Sequence, residues 1–408
     1  MFAIIKLGEM MKERIIFHID CNNAFLSWTA VYMIHNGSKI DIRNRYAVIG
    51  GKESERKGIV LAKSNLCKKC GVITGETLYA ARRKCPYLEV YQPEFKVYKK
   101  YSDIMYTYLC GYTLKIERYS IDECFIDFSD KDEIRNDPVK WAYKIKNDIK
   151  DNFGFTVNVG IGNNKLLAKM ASDFSKPDKV HTLFTWEVKE KMWPLAVEDL
   201  FMIGKASSKK LHELNINTIY DLANTKREYL EKYFKSMGKM MWEYANGIDN
   251  SVVESDYGNP KSISNSCVLP YNYSNIEDIY REIRKLAMTT GKKLREKKMY
   301  TSNVMIWVKF DDFSKISKQI TLDNLIQDDE KIYEYAVKLF NMIWNKDSDK
   351  LVRALCVGVN NLTDKYVVQL SMFENVDIKN QEDDKLKKAL DNIKEKYGDK
   401  SITYADRL

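Results

Sequence analysis

Short apolar runs and amphipathic stretches alternate over the first half of the chain. Runs typical of strands are RIIFHID (14–20), YAVIGG (46–51), GIVLAKS (58–64) and FTVNVGIG (155–162). Helical apolar spacing is found in VYKKYSDIMYTYLCGYT (97–113), DPVKWAYKIKNDIKDNFG (137–154) and NNKLLAKMASDFSKP (163–177). The second helix begins with the cap pair Asp137-Pro138 and ends at Gly154, and Pro177 ends the third.

Asp122 and Glu123 lie between the apolar runs LKIERYSI (114–121) and CFIDFS (124–129), which predict a hairpin with both acids at its turn. The order strand, helix, two strands, helix, strand is a split βαβ, ferredoxin-like arrangement. It spans about residues 13–186, with a helix-and-strand insertion after Asp20. In such a sheet the first strand lies beside the hairpin, which brings Asp20 to Asp122 and Glu123. Ordinary turn acids are the alternative, but three acids on neighbouring central strands favour a metal site.

The second half predicts a helical region followed by another α+β domain. LFMIGKASSKKLHEL (200–214) is typical of a helix-hairpin-helix, in which Gly204 and the next helix start, with Lys205 and Lys209, present N–H groups and charge to a phosphate. A similar turn is predicted at Gly238, although either turn could be a plain corner between helices. SDYGNPKSISNS (255–266) predicts a linker, and helices alternate with strands beyond it.

Composition narrows the class of protein. The chain has 408 residues, 45% hydrophobic and 30% charged, which predicts a soluble protein of two to four domains. No apolar run approaches the ~18 residues of a membrane span, and charge interrupts the N-terminal stretch too often for a signal peptide. We therefore expect a cytoplasmic protein with reduced thiols. Cys67, Cys70 and Cys85 resemble part of a zinc site, but small apolar core residues are the favoured interpretation.

The net charge of +9 is concentrated in places, notably GKKLREKKM (291–299). Solvated helix faces and phosphate contacts both fit such runs, and charge alone does not decide between them.

Motifs in a fixed order give the chain a family resemblance. They are HIDCNNAF (18–25), SIDE (120–123), VGIGNNKLLAKMASDFSKP (159–177) and WEYANGID (242–249). The chain resembles the Y-family translesion DNA polymerases, the bacterial group with UmuC-type and DinB-type enzymes, over about residues 13–375. The resemblance implies an α+β multidomain fold with a ferredoxin-like palm, small fingers, a helix-hairpin-helix thumb and an α+β little finger. The implied domains are palm 13–23 and 94–186, fingers 24–93, thumb 187–254, little finger 261–365 and a tail 366–408.

The resemblance also implies an activity and a metal. The expected function is template-directed translesion DNA synthesis in DNA repair and the SOS response, without a proofreading exonuclease. Asp20, Asp122, Glu123 and the Cys21 carbonyl would hold two Mg²⁺ ions, because this hard cation prefers carboxylate and carbonyl oxygens. Two cations ~3.5–4 Å apart can stabilise the attacking and leaving oxygens of nucleotidyl transfer.

Further residues take roles from the same resemblance. Phe25 would be the steric gate against a ribose 2′-OH, and Lys68, Asn65 and Lys176 would lie toward the dNTP. Asn65 departs from the family's usual tyrosine, and Ala24 replaces a usual aromatic. The little finger would grip primer-template DNA through five basic residues: Lys292, Lys293, Arg295, Lys297 and Lys298.

QLSMF (369–373) resembles the short peptide by which bacterial polymerases dock on the sliding clamp. Its contacts would come from Gln369, Leu370, Met372 and Phe373. A final strand that runs into a loop is the alternative. We expect a monomer that binds DNA, dNTP and the clamp. The rival hypotheses for the whole chain are a nucleotidyl cyclase with a similar palm and a catalytically inactive DNA-binding accessory protein.

Overall fold

The computed structural model describes residues 13–255, 258–344 and 349–365, together with 389, 393, 396–398 and 401. The chain divides into two compact units, residues 1–53 with 57–256 and residues 54–56 with 257–408. The first unit contains the elements assigned above to palm, fingers and thumb, and the second those of the little finger. The exact boundaries of palm, fingers and thumb stay predictions.

A five-stranded sheet forms the palm. Its strands are β1 (Ile16–Cys21), β5 (Ile116–Arg118), β6 (Glu123–Asp127), β7 (Val157–Gly162) and β8 (Val180–Leu183). Their order is β5-β6-β1-β7-β8, with β1 antiparallel to both β6 and β7. The predicted ferredoxin-like arrangement is therefore confirmed, and β8 is added parallel to β7.

Helices cover both faces of this sheet. They are α1 (Ala24–His35), α4 (Phe95–Cys110), α5 (Asp132–Asn136), α6 (Pro138–Phe153) and α7 (Lys165–Asp173). The apolar residues Phe17, Ile19 and Val159 pack in one core with α1, α4 and α6. Because successive strand residues point to opposite faces, His18 and Asp20 lie on the other face, where α7 contacts β1 and β7.

The fingers are a small sheet with short helices. The strands β2 (Ala47–Gly50), β3 (Val60–Lys63) and β4 (Glu89–Tyr91) take the order β3-β2-β4, and the helices are α2 (Asn65–Lys69) and α3 (Leu78–Lys84). Cys67 and Cys85 are buried in the fingers core and Cys70 packs against it, as the apolar interpretation of these cysteines predicts.

The helical region contains α8 (Lys205–Glu213), α9 (Ile219–Asn224), α10 (Arg227–Phe234) and α11 (Ser236–Ala245). The turn predicted at Gly238 is wrong in position, since the chain turns at Lys235, where φ is 55°. Gly238 lies inside α11, where an added Cβ would come 2.4 Å from the backbone of Leu230. The glycine therefore allows two helices to approach closely and does not form the turn.

The second unit is a four-stranded sheet with two helices on one face. Its strands are β9 (Ser262–Tyr273), β10 (Tyr300–Phe310), β11 (Lys315–Ile326) and β12 (Val352–Thr363), in the order β11-β10-β12-β9, and its helices are α12 (Ile276–Glu296) and α13 (Asp329–Asn341). The linker predicted over 255–266 is wrong at its end, because residues from Ser262 onward pair with β12.

Candidate active site

Asp20 and Glu123 face each other across two paired strands. They form the last register pair of β1 and β6, on the sheet face that α7 covers. Asp20 is only 6% exposed. Asp122 lies in the turn just before β6, where its carboxylate accepts a hydrogen bond from Ser120 Oγ at 2.6 Å and its carbonyl accepts one from the Cys21 N–H at 3.0 Å. The structure thus brings the three predicted acids and Cys21 to one end of the sheet.

Two lysines from α7 and the loop after it bind these acids. Lys169 Nζ lies 2.6 Å from Glu123 Oε1 and 3.7 Å from Asp20 Oδ2. Lys176 Nζ donates to Asp20 Oδ2 and lies 2.8 Å from Asp173 Oδ1. Lys176 was predicted from the resemblance, whereas Lys169 was missed. The spacing of lysines at 165, 169 and 176 was the available signal.

Burial and charge oppose each other at this site. Burial raises the pKa of Asp20, and the nearby ammonium groups of Lys176 and Lys169 offset that rise only in part. Burial likewise raises the pKa of Glu123 against the pull of Lys169. Burial disfavours the charged form of Lys176, yet Asp20 and Asp173 outweigh it and raise its pKa. The acids therefore form a partly desolvated cluster that attracts cations.

The donor set of this cluster fits a divalent metal. Carboxylate and carbonyl oxygens are ligands that Mg²⁺ prefers, and the acids already bind positive charge in the form of ammonium groups. In the described part of the chain, no His, Cys, Asp or Glu group of three or more is arranged to hold a metal ion. The reason is visible in the contacts, since Asp122 turns to Ser120 while Asp20 and Glu123 bind lysines. Metal binding therefore requires these side chains to regroup.

His18 lies behind Glu123 and was not predicted. Its Nδ1 lies 2.8 Å from Ser172 Oγ, and its Nε2 lies 4.0 Å from Glu123 Oε2. Burial lowers its pKa well below the ordinary value, so the ring is neutral. The alternation of β1 was the available signal, because it places residue 18 on the same face as Asp20.

A network of buried amides holds the loop that carries Lys176. Asn22 Nδ2 donates to Asn158 Oδ1 at 3.0 Å, and Asn158 Nδ2 donates to the carbonyls of Ser172 and Ser175. The Asp178 N–H donates to Asn22 Oδ1 at 2.8 Å. These bonds fix the loop against the ends of β1 and β7, next to Asp20.

Phe25 lies at the start of α1 and is half-buried. Its ring stacks on that of Tyr98, and it makes a T-shaped contact with the ring of Phe95, with centroids 6.0 Å apart. Asn65 is the first residue of α2, and both it and Lys68 are exposed on the fingers. Asn23 Nδ2 donates to the carbonyl of Lys63 at 2.7 Å, which ties the start of α1 to the end of β3.

The predicted phosphate contacts differ in their surroundings. Gly204 is the N-cap of α8, no acidic residue occupies the first turn, and Lys205 and Lys209 are exposed. In the second unit Lys293, Lys297 and Lys298 are exposed and Lys292 is half-buried. The predicted DNA contact of Arg295 is corrected, because its side chain is only 7% exposed and lies 3.2 Å from Asp329 Oδ1. The residue joins α12 to α13 and is not available to DNA.

An open sheet face in the second unit was missed. Helices α12 and α13 cover one face, where Val304, Ile306 and Val308 of β10 are buried. The alternate residues of β10 therefore point to the other face, among them Trp307 and Lys309. Lys315 Nζ lies 4.2 Å from the centroid of the Trp307 ring. This open face, defined by Trp307, Lys309 and Lys315, combines positive charge with an aromatic ring.

Family models match the chain in three segments. The impB/mucB/samB family matches residues 19–173, its C-terminal domain matches 260–372, and the DNA polymerase-iota thumb domain matches 198–249. DNA polymerase IV of Clostridium acetobutylicum is 45% identical over 96% of this chain and 97% of its own length. The chain belongs to the impB/mucB/samB family, the Y-family DNA polymerases.

Other Y-family relatives and a solved structure agree with this assignment. DNA polymerase IV of Acetivibrio thermocellus is 35% identical over 96% of both chains, and DNA polymerase IV 1 of Bacillus subtilis is 33% identical over 96% of this chain and 92% of its own. A Y-family DNA polymerase chimera shares the fold with a TM-score of 0.74, covering 86% of this chain and 100% of its own at 23% identity. The predicted multidomain fold with a helix-hairpin-helix thumb is thereby confirmed.

Membership confirms two further predictions in their general form. The protein is a DNA-directed DNA polymerase of the translesion type, whose nucleotidyl transfer depends on a divalent metal. Among the described residues, no helix is long and apolar enough to cross a membrane. The clamp peptide 369–373, with Gln369, Leu370, Met372 and Phe373, lies outside the described residues.

Proposed function

We propose that this translesion polymerase performs nucleotidyl transfer with two Mg²⁺ ions held by Asp20, Asp122, Glu123 and the Cys21 carbonyl. The register pair Asp20–Glu123, which lies beside Asp122 at one end of the sheet and is partly removed from water, carries the proposal. Bound Mg²⁺ would stabilise the negative charge that develops on the primer 3′-oxygen and on the leaving pyrophosphate. The comparisons lend no support to a cyclase or to an inactive accessory protein.

The chain's own residues would orient the nucleotide. Lys176, held by the Asn22 and Asn158 bonds, would bind the triphosphate of the dNTP, and Lys68 and Asn65 would approach it from the fingers. The Phe25 ring would lie against C2′ of the sugar and exclude a ribose hydroxyl. Each of these groups positions the reactants and leaves the chemical step to the metal cluster.

Basic surfaces would hold the primer-template duplex. Gly204, Lys205 and Lys209 would bind a backbone phosphate at the start of α8, where peptide N–H groups point outward. Lys292, Lys293, Lys297 and Lys298 at the end of α12 would make further phosphate contacts. The open face with Lys309 and Lys315 is a second candidate in the same domain.

We also propose that QLSMF (369–373) docks on a sliding clamp and that the polymerase acts as a monomer in the cytoplasm. The motif supports the first part, since an apolar Leu-x-Met-Phe group suits a hydrophobic pocket. Deletion of 369–373 should remove stimulation by a loaded clamp and leave synthesis on short primers unchanged. Equal stimulation of both forms would exclude the peptide as the docking element.

Primer extension with single variants tests the metal assignment. Asp122→Asn and Glu123→Gln should each lower the extension rate by on the order of 10³ or more, while DNA binding stays near the parent level. Asp127→Asn is the matched control, because Asp127 lies at the far end of β6 and bonds to Ser129. Extension by Asp122→Asn at near the parent rate would refute the assignment.

A further inference from the structure

Lys169 is the most deeply placed cation at the metal cluster. Its side chain is 11% exposed, and its Nζ lies 2.6 Å from Glu123, 3.7 Å from Asp20 and 3.4 Å from Asp173. An ammonium group this close to three carboxylates in a partly dry site interacts far more strongly than a surface pair. The contact of Lys169 with these carboxylates is therefore an integral part of the site.

Backbone geometry fixes the position of Lys169. Helix α7 lies directly on β7, because a Cβ at Gly160 would come 2.0 Å from the carbonyl oxygen of Ala168 and one at Gly162 would come 2.7 Å from the Ala168 nitrogen. Ser172 Oγ donates to the carbonyl of Lys169 at 2.7 Å. From this helix the Lys169 side chain extends to Glu123 and Asp20.

We propose that Lys169 is an internal counter-ion, which holds Asp20 and Glu123 in place before metal binds and competes with the metal for their oxygens. This inference rests on the proposed metal site. Glu123 Oε1 cannot accept the ammonium at 2.6 Å and ligate a cation with the same lone pairs at once. A metal that takes this lone pair displaces the ammonium, and Asp173, 3.4 Å away on the same helix, is an acid that can receive it.

The competition predicts that loss of the Lys169 charge strengthens metal binding. As a rule, removing a positive group beside a pair of buried acids destabilises the fold and weakens the site as well. Here the neutral variant Lys169→Met should bind divalent metal more tightly, by about ten-fold. The same variant should be less stable than the parent when metal is removed, because Glu123 then loses its ammonium partner and only Lys176 of the two lysines remains to offset the charge of the acids.

Mn²⁺ binding without DNA or nucleotide tests the proposal, with free Mn²⁺ measured by electron paramagnetic resonance. We expect about ten-fold tighter binding for Lys169→Met and Lys169→Gln, and parent-like binding for Lys169→Arg, which keeps the charge. Lys165→Met is the matched control, since Lys165 lies one turn earlier and its buried pair with Glu117 is separate from the cluster. Thermal unfolding in EDTA and in Mn²⁺ should show a larger metal-induced rise in Tm for Lys169→Met than for either the parent or Lys165→Met.

The outcomes separate this inference from the metal site itself. Unchanged or weaker Mn²⁺ binding by both folded neutral variants would overturn the competition, as would equally tight binding by Lys169→Arg. If the parent binds Mn²⁺ no better than Asp122→Asn does, the metal assignment fails instead. Circular dichroism of each variant in EDTA distinguishes a loss of folding from either result.

Discussion

The ring of Phe25 stacks on the ring of Tyr98, with centroids 4.5 Å apart and planes 12° apart. Tyr98 is fully buried, and its hydroxyl lies 3.2 Å from Thr29 Oγ1. Phe25 can therefore move little on the side that faces α4. A gate that excludes a hydroxyl by steric overlap needs such rigid support, because overlap energy falls steeply with small displacements.

Phe25→Ala should admit ribonucleotides. An apolar pocket discriminates against an added hydroxyl by only about 10²-fold, so most of any stronger preference comes from the clash with the ring. We expect rNTP incorporation to rise while dNTP incorporation falls modestly, measured as kcat/KM for one matched pair. Leu26→Met is the control, since Leu26 is buried in the palm core and methionine conserves its volume. An unchanged sugar preference in Phe25→Ala would show that another residue is the gate.

With Phe25 as the proposed gate, Tyr98→Leu should relax sugar selection without altering Phe25 itself. Without the flat ring behind it, Phe25 can move away from the sugar. Discrimination against rNTP should therefore fall by about ten-fold, less than for Phe25→Ala. Phe95→Ala is the comparison, because Phe95 is exposed and its ring makes a T-shaped contact with Phe25, whereas Tyr98 stacks on it. If both variants relax selection equally, the stack on Tyr98 has no special role.

The acid cluster should make the metal-free enzyme less stable as pH rises. Burial raises the pKa of Asp20 and of Glu123, so the folded chain holds protons that the unfolded chain has already released. Their contribution to the free energy of unfolding is present below the unfolded pKa of about 4 and is lost as pH rises through the folded pKa. We expect the free energy of unfolding of Glu123→Gln to depend less steeply on pH than that of the parent between about pH 4 and pH 7. Urea denaturation in the presence of EDTA measures it. An unaltered slope would mean that other groups dominate.

The palm could be predicted from sequence because its signals are local. Alternation along β1 and the hairpin around Asp122 fix which residues share a face, and the pairing of Asp20 with Glu123 follows from strand order. Lys169 and His18 were missed because their roles depend on how closely α7 approaches the sheet. That distance is set by Gly160, where any side chain would overlap the backbone of α7. This requirement for glycine is visible only in the folded structure.

Two errors in the second unit have the same origin. Ser262–Ser266 contains polar residues typical of a linker, but pairing with β12 makes it a strand. Arg295 belongs to a basic run typical of a solvated face, yet Gly291, one turn earlier, packs against Asp329 and turns that side of α12 inward. Composition describes such segments correctly and cannot tell which neighbour covers them.

Gly160→Ala should damage the active site through the backbone. A methyl group 2.0 Å from the Ala168 carbonyl forces α7 away from β7, and overpacking of this kind costs about 1–3 kcal/mol or more. We expect a lower Tm and slower primer extension together. Gly204→Ala is the control for folding, since a Cβ there meets no atom within 4 Å and the backbone has ordinary φ. A Gly160→Ala protein with parent Tm would show that α7 can shift freely.

The last prediction decides which surface of the second unit binds DNA. Charge reversal of Lys309 and Lys315 removes the cations of the open face, and reversal of Lys293, Lys297 and Lys298 removes those at the end of α12. Removal of one phosphate-binding lysine should lower the slope of log Kd against log salt by about one. A decrease of about two in the open-face variant, or of about three in the α12 variant, would show that every reversed lysine of that surface contacts a phosphate. Lys331→Glu on α13 is the control, since that helix covers the opposite face. If the open-face variant and the control have equal slopes, the α12 lysines are the ones that contact DNA. If all three variants have equal slopes, neither surface belongs to the proposed interface.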